Sequence, residues 1–115
     1  MTIDDAKMKN LAKLDQIALL KDNWNGDGAR AFQKTIITAA RGIVTGLDIQ
    51  PEVFPTGDNS VQFESDGPDG SYLEIELREG KSADVFTIDR QGNERYTTVE
   101  ISAKAINELV DHFYG

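Results

Sequence analysis

Apolar residues recur every three or four positions near the start of the chain, which is the spacing of one face of an α-helix. Leu11, Leu14 and Ile17 follow this period. They predict a first helix over Asp4–Lys21, with Thr2 or Asp4 as its N-cap, because short polar side chains satisfy the first free amides. The Asp, Asn and Gly residues that follow favour turns and end the helix.

Two more helices are predicted from the same spacing. The second begins between Gln33 and Thr35 and reaches Gly46, where glycine suits a left-handed C-cap. The small residues Gly42 and Gly46 would also permit close packing on the first helix. Its apolar positions again lie three or four residues apart, at Ile36, Ala40, Ile43 and Leu47. The third is capped by Ser102 near the end of the chain, and its apolar face comprises Ile106, Leu109, Val110 and Phe113.

Between these helices apolar positions alternate with polar ones, which is the pattern of half-buried β-strands. In the clearest strand the apolar face holds Leu73, Ile75 and Leu77, and the polar face holds Tyr72, Glu74, Glu76 and Arg78. Further strands are predicted at residues 52–55, 61–64, 83–89 and 95–101. Pro55 marks the first of them as an edge strand, because proline cannot donate to a ladder. The short connections predict antiparallel hairpins.

The order of these elements predicts an α+β fold in a single domain of residues 1–115. We expect two N-terminal helices, an antiparallel meander sheet of four to five strands and a C-terminal helix. The helices are placed on one sheet face, because that arrangement buries every apolar stripe. A length of 115 residues suits one domain. The polar face of the Tyr72–Arg78 strand is then expected to meet water or a partner.

Charge narrows the classes of partner. The chain carries 20 acidic and 12 basic residues, a net charge of −8, whereas nucleic-acid binding draws much of its affinity from basic residues. We therefore predict no direct contact with nucleic acid. The acidic N-terminus lacks the apolar run of a signal peptide, and no stretch of about 18 apolar residues occurs. The expectation is a cytoplasmic protein that does not enter a membrane.

The only Trp of the chain stands in a turn-rich segment, Asn23-Trp24-Asn25-Gly26-Asp27-Gly28-Ala29. We interpret Trp24, Asn25, Gly26, Asp27 and Gly28 as a structural loop that the indole anchors to the core. The segment resembles a Trp-(Asp/Asn)-Gly-x-Gly-Ala motif of small uncharacterised bacterial and phage proteins, and similar stretches follow at Pro51–Asp58 and Leu73–Leu77. The resemblance implies the same α+β organisation, and it assigns no activity to any residue.

The sequence contains no complete set of metal-binding or catalytic residues. Residues 23–28 copy half of an EF-hand loop, but Lys34 occupies the twelfth position, where calcium requires a bidentate Glu. The chain has no Cys, and His112 is its one His, which excludes the usual zinc sites and catalytic triads. We therefore predict a non-enzymatic protein with no metal, no cofactor and no catalytic residue.

Three classes of function stay open at this point. The first, which we predict, is a protein-interaction module that binds through the polar face of the Tyr72–Arg78 strand or through the edge near Val53–Pro55, with a protein partner or in a homodimer. The second is an acidic inhibitor, either antitoxin-like or a nucleic-acid mimic, which the net charge suggests. The third is a small-molecule binding domain, which requires a deep pocket lined by Trp24.

Overall fold

Helices and strands follow each other in the order that the hydrophobic pattern predicts. The computed structural model describes residues 3–114 of the chain, in which we find three helices and five strands. They are α1 (Ile3–Ala18), α2 (Lys34–Gly46), β1 (Glu52–Pro55), β2 (Val61–Asp66), β3 (Tyr72–Leu77), β4 (Ser82–Ile88), β5 (Glu94–Glu100) and α3 (Ala103–Tyr114). The strands form one antiparallel sheet in the order β1-β2-β3-β4-β5. The predicted fold class is confirmed.

The first helix is shorter than its apolar stripe suggested. It ends at Ala18 rather than Lys21, because the amide of Leu19 closes a three-residue turn instead of a helical one. Leu19 is then 72% exposed, outside the core. At the other end Asp4 already lies within α1 and is not its N-cap, and Thr2 lies outside the described residues.

A carboxylate from the sheet meets the N-terminus of α2. Gln33 is the N-cap residue of this helix and makes no capping hydrogen bond with its side chain. Thr35 in the first turn donates its Oγ1 hydroxyl to Glu79 Oε1 at 2.9 Å. Glu79 belongs to the turn between β3 and β4, so a negative charge sits near the positive end of the helix dipole.

Gly46 has a different role from the predicted one. It is the last residue of α2 and its φ is not positive, and the C-cap is Leu47 in an extended conformation. The prediction of a left-handed glycine cap is therefore wrong. A Cβ atom at position 46 would lie 2.6 Å from the Cβ atom of Ala103. The glycine is required because the start of α3 approaches the end of α2 at this point.

The N-cap of α3 is as predicted, because Ser102 Oγ accepts the Ala105 amide at 3.1 Å. No helix within residues 3–114 is both long and apolar enough to cross a lipid bilayer.

One continuous core lies between the helices and one face of the sheet. The core includes Leu14 and Ile17 of α1, Ile36, Ala40, Ile43 and Val44 of α2, Ile106 of α3, and Val53, Val61, Phe63, Leu73, Ile75, Leu77, Ala83 and Val85 of the sheet. These sheet residues alternate along their strands, so the helices cover one face and leave the other open.

Candidate functional site

The uncovered side of the sheet, which we call the open face, is strongly acidic. It consists of the strand residues that alternate with the core positions. None of these strand residues is Lys or Arg. Carboxylates occur on all five strands: Glu52, Glu64, Asp66, Glu74, Glu76, Asp84, Glu94 and Glu100. The predicted residues Tyr72, Glu74 and Glu76 lie on this face, and Arg78 follows the end of β3 beside them.

Several of these carboxylates are direct neighbours across strands. Glu64 on β2 pairs with Glu52 on β1 and with Glu74 on β3, and Glu76 on β3 pairs with Asp84 on β4. Like charges placed directly opposite one another destabilise a sheet. The open face therefore brings like charges into positions where they repel one another unless donors or cations compensate them.

Neutral donors hold the central carboxylates in place. Gln62 Nε2 donates to Glu64 Oε1 at 2.6 Å and to Glu74 Oε1 at 3.1 Å. The Tyr72 hydroxyl donates to Glu74 Oε1 at 2.8 Å. Burial raises the pKa of the Tyr72 phenol, and its hydrogen bonds with Glu74 and Glu64 raise this pKa further. The phenol therefore stays a neutral donor beside two carboxylates.

Arg78 supplies a positive charge at one border of the open face. Its Nη2 atom lies 2.7 Å from Glu76 Oε1, and its Nε atom lies 3.7 Å from Asp84 Oδ2. The second oxygen of Glu76 accepts the Ser60 hydroxyl at 2.8 Å. Arg78 therefore bridges two opposed carboxylates at one end of the strands, and the centre of the face stays negative.

Aromatic side chains cross the open face from β3 to β5. The ring centroids of Tyr72 and Phe86 are 6.3 Å apart, and those of Phe86 and Tyr96 are 4.8 Å apart. Tyr96 is 79% exposed, and aromatic side chains are enriched at protein interfaces. A recess of about 270 Å³ lies beside this ring, lined by Glu74, Glu76, Asp84, Val85, Phe86, Tyr96 and Thr97.

Most residues of this surface were not in the sequence prediction, among them Glu64, Asp84, Phe86 and Tyr96. The alternation within each strand contained the signal, because Phe86 and Tyr96 have polar-face parity in strands already predicted. What the sequence lacked was the register between strands, which places Phe86 opposite both Glu74 and Tyr96. Without it, the aromatic residues and the carboxylates could not be assigned to one patch.

The edge near Val53–Pro55, the second predicted binding surface, is largely occupied. Glu52 and Phe54 make the backbone hydrogen bonds with β2. The backbone groups of Val53 and Pro55 therefore point away from the sheet. Pro55 has no amide proton, so Val53 is the one outward amide donor of β1.

Helix α1 also lies along this edge. Asn10 Nδ2 donates to the carbonyl of Pro51 at 2.9 Å, just before β1 begins. Lys13 places its Nζ atom 4.3 Å from the centroid of the Phe54 ring, which belongs to the open face. Contacts at both positions leave little room for an added strand beside β1.

The Trp24 loop is anchored from within the protein. The indole Nε1 atom donates to the carbonyl of Arg30 at 3.3 Å, and the ring centroid lies 6.0 Å from that of Phe32. Trp24 also packs against the hydrophobic core. The polar group of the indole is therefore used inside the loop.

Asparagine side chains fold the remainder of this loop. Asn25 Oδ1 accepts the amides of Asp27 and Ala29 at 2.9 and 3.1 Å, and Asn23 Oδ1 accepts the Gly28 amide at 2.8 Å. Gly28 has a φ of 86°, a conformation that favours glycine. The side-chain oxygens of Asn23 and Asn25, two of the three residues that resemble calcium ligands in the sequence, are thus engaged by backbone amides. Within residues 3–114, no three acidic or histidine side chains converge as a metal site requires.

Comparison with protein-family models, curated proteins and solved structures finds no match to this chain. The resemblance of the Trp24–Ala29 segment to small bacterial and phage proteins stays a prediction.

Proposed function

We propose that this protein is a non-enzymatic protein-interaction module whose open face binds a basic surface of a partner protein. The observation that supports the proposal most directly is the charge of the open face, with carboxylates on five strands and no Lys or Arg among its strand residues. Such a surface attracts a basic partner and repels acidic ones, which gives specificity and a fast association rate.

The recess beside Tyr96 is the proposed anchor point. An Arg or Lys side chain of the partner would stack on the exposed ring of Tyr96 and place its charge near Glu74 and Asp84. Its volume of about 270 Å³ is below the range of about 300–1,000 Å³ that is typical of small-molecule pockets. It therefore suits one long side chain better than a whole small-molecule ligand.

Charge reversal tests the proposal. In Glu74→Lys/Glu76→Lys the centre of the open face becomes positive, and binding to a basic partner or to a Lys/Arg-rich peptide should weaken at least tenfold. Each lost charge-assisted hydrogen bond accounts for roughly 1.5–3 kcal/mol, and tenfold corresponds to about 1.4 kcal/mol. Binding is measured by calorimetry, and circular dichroism checks that the variant is folded.

A matched variant on α3 controls for net charge. Glu108 and Asp111 are exposed on an element that packs against the opposite side of the sheet. Glu108→Lys/Asp111→Lys changes the net charge by the same amount and should bind nearly as well as the original protein. Equal losses in both variants would show attraction to net charge alone and would contradict a binding site on the open face.

The same surface keeps the acidic inhibitor as a second candidate. An array of carboxylates on one face is what a nucleic-acid mimic requires. In this case the basic partner is itself a nucleic-acid-binding protein, and the module should displace nucleic acid from it. A partner that binds the module and nucleic acid simultaneously would exclude mimicry and leave the interaction module intact.

A further inference from the structure

The β5 edge of the sheet is exposed along almost its whole length. Six of its seven residues are exposed, and Val99 is half-buried. The ladder with β4 uses the odd-numbered residues, as shown by the amides of Ile101 and Asp89, which donate to Lys81 and Asn93 at the two ends. The even-numbered residues of β5 therefore direct their amides and carbonyls away from the sheet.

These outward groups have almost no hydrogen-bond partners within the part of the chain that the structure describes. The amides of Glu94, Tyr96, Thr98 and Glu100 make no hydrogen bond with any residue of the described range 3–114. Of the carbonyls, that of Glu100 accepts the Ser102 amide at 2.9 Å. Four outward amides on β5 contrast with one on β1, so β5 is the edge with the donors that a new strand needs.

We propose that the β5 edge receives an extended basic segment of the partner protein as a sixth, antiparallel strand. This inference rests on the proposed function, because it names the part of the partner that the open face binds. An antiparallel addition continues the existing sheet and has the more stable hydrogen-bond pattern. Main-chain bonds then supply affinity, and side chains over the open face supply specificity.

The charge of β5 favours a basic segment of a partner over a second copy of the chain. Glu94 and Glu100 lie at the two ends of β5 and face the same side as Tyr96 and Thr98. In the antiparallel register that pairs all of β5 with itself, Glu94 lies opposite Glu100 at both ends, and each copy carries a net charge of −8. A strand with Lys or Arg at these two positions replaces both repulsions with attractions.

The geometry specifies the pattern of the added strand. Every second residue lies over the open face, opposite Glu100, Thr98, Tyr96 and Glu94 in turn. The residue opposite Tyr96 lies beside the recess proposed as the anchor point. A suitable seven-residue segment therefore has basic residues first and last, and an arginine fifth.

A designed peptide, Lys-Thr-Val-Thr-Arg-Thr-Lys, tests the proposal. In the added strand its odd-numbered amides point toward β5 and its even-numbered amides point to solvent. N-methylation of the third and fifth residues should weaken binding at least tenfold, and N-methylation of the fourth and sixth should leave it within about threefold. The two peptides have the same charge and composition, so charge attraction alone cannot separate them.

A protein variant makes the complementary test. Thr98→Pro removes an outward amide and leaves the β4–β5 ladder intact, which is the edge position where proline is tolerated. It should reduce peptide binding at least tenfold, whereas Thr98→Val, which keeps the amide, should not. Thermal unfolding confirms that both variants fold, and if Thr98→Pro does not, the methylated peptides alone decide.

The outcomes separate this inference from the proposed function. Equal binding of both methylated peptides, with loss in Glu74→Lys/Glu76→Lys, would overturn the added strand and retain the open face as the site. No effect of either the charge reversal or the methylation would overturn both proposals. A dimer in sedimentation experiments that Thr98→Pro dissociates would assign the edge to a second copy and overturn the basic segment.

Discussion

Neutralising Glu64 should make the protein more stable and its binding weaker. Glu64 lies between Glu52 and Glu74 in one row across three strands, so a single Glu64→Gln substitution removes two repulsions. The new amide keeps an oxygen that can accept the hydrogen bond from Gln62 Nε2. The substitution therefore changes charge with little change in shape.

The size of this gain in stability is estimated from the distance between Glu64 and Glu74, which share the Gln62 Nε2 donor. The Oε1 atoms of Glu64 and Glu74 lie 2.6 and 3.1 Å from the same Gln62 nitrogen. Two unit charges at most about 6 Å apart repel by about 0.7 kcal/mol in water and about 3 kcal/mol at the effective dielectric near a protein surface. The Gln62 amide and mobile ions offset part of this. We expect a gain of about 0.5 kcal/mol in the free energy of unfolding, near the middle of the range for cross-strand pairs.

Urea unfolding at low and high salt measures this gain, which corresponds to about 2 °C in melting temperature. The gain should shrink at 1 M salt, where the screening length of about 3 Å is shorter than the separation. Glu108→Gln, at an exposed position of α3, serves as the control. A loss of stability in Glu64→Gln, or a gain that does not depend on salt, would refute the repulsion between these carboxylates.

Three further substitutions test the fold around this surface. Glu79→Gln should lower the free energy of unfolding by about 0.5 kcal/mol in urea titrations, because the charge near Thr35 at the start of α2 is lost. An unchanged midpoint would contradict this capping role. Gly46→Ala should destabilise by about 1 kcal/mol or more, because its Cβ atom would meet Ala103 at 2.6 Å. A more stable variant would show that helix propensity outweighs the contact. Tyr72 has a raised pKa, so its neutral form stabilises the fold below about pH 10 and that contribution is lost as the pH rises further. Tyr72→Phe should therefore lose less stability in alkaline unfolding, and an identical pH profile would contradict the raised pKa.

Local periodicity was sufficient to predict the elements of this fold. The alternation of Leu73, Ile75 and Leu77 fixes which side of β3 is buried, and short turns make each neighbouring strand antiparallel. The Ser102 cap of α3 was also predictable, since its side chain acts on an amide three residues away. These features depend on residues close together in the sequence.

Features that depend on distant contacts were not predictable. The edge strand β1 appeared open because its sequence does not show that Asn10 and Lys13 of α1 reach it. Gly46 looked like a cap because its neighbour Ala103, far along the chain, is invisible to local patterns. The aromatic part of the candidate site needed the strand register for the same reason. The net charge was known from composition, but its concentration on one face was not.

Mapping the binding surface by NMR tests the central claim most directly. The ¹⁵N-labelled protein is titrated with the basic peptide Lys-Thr-Val-Thr-Arg-Thr-Lys, and amide shifts are followed residue by residue. We expect the largest shifts on the open face and its free edge, at Glu74, Phe86, Tyr96 and Thr98. Shifts confined to α1, α2 and the Trp24 loop would contradict the assignment of the open face as the binding surface.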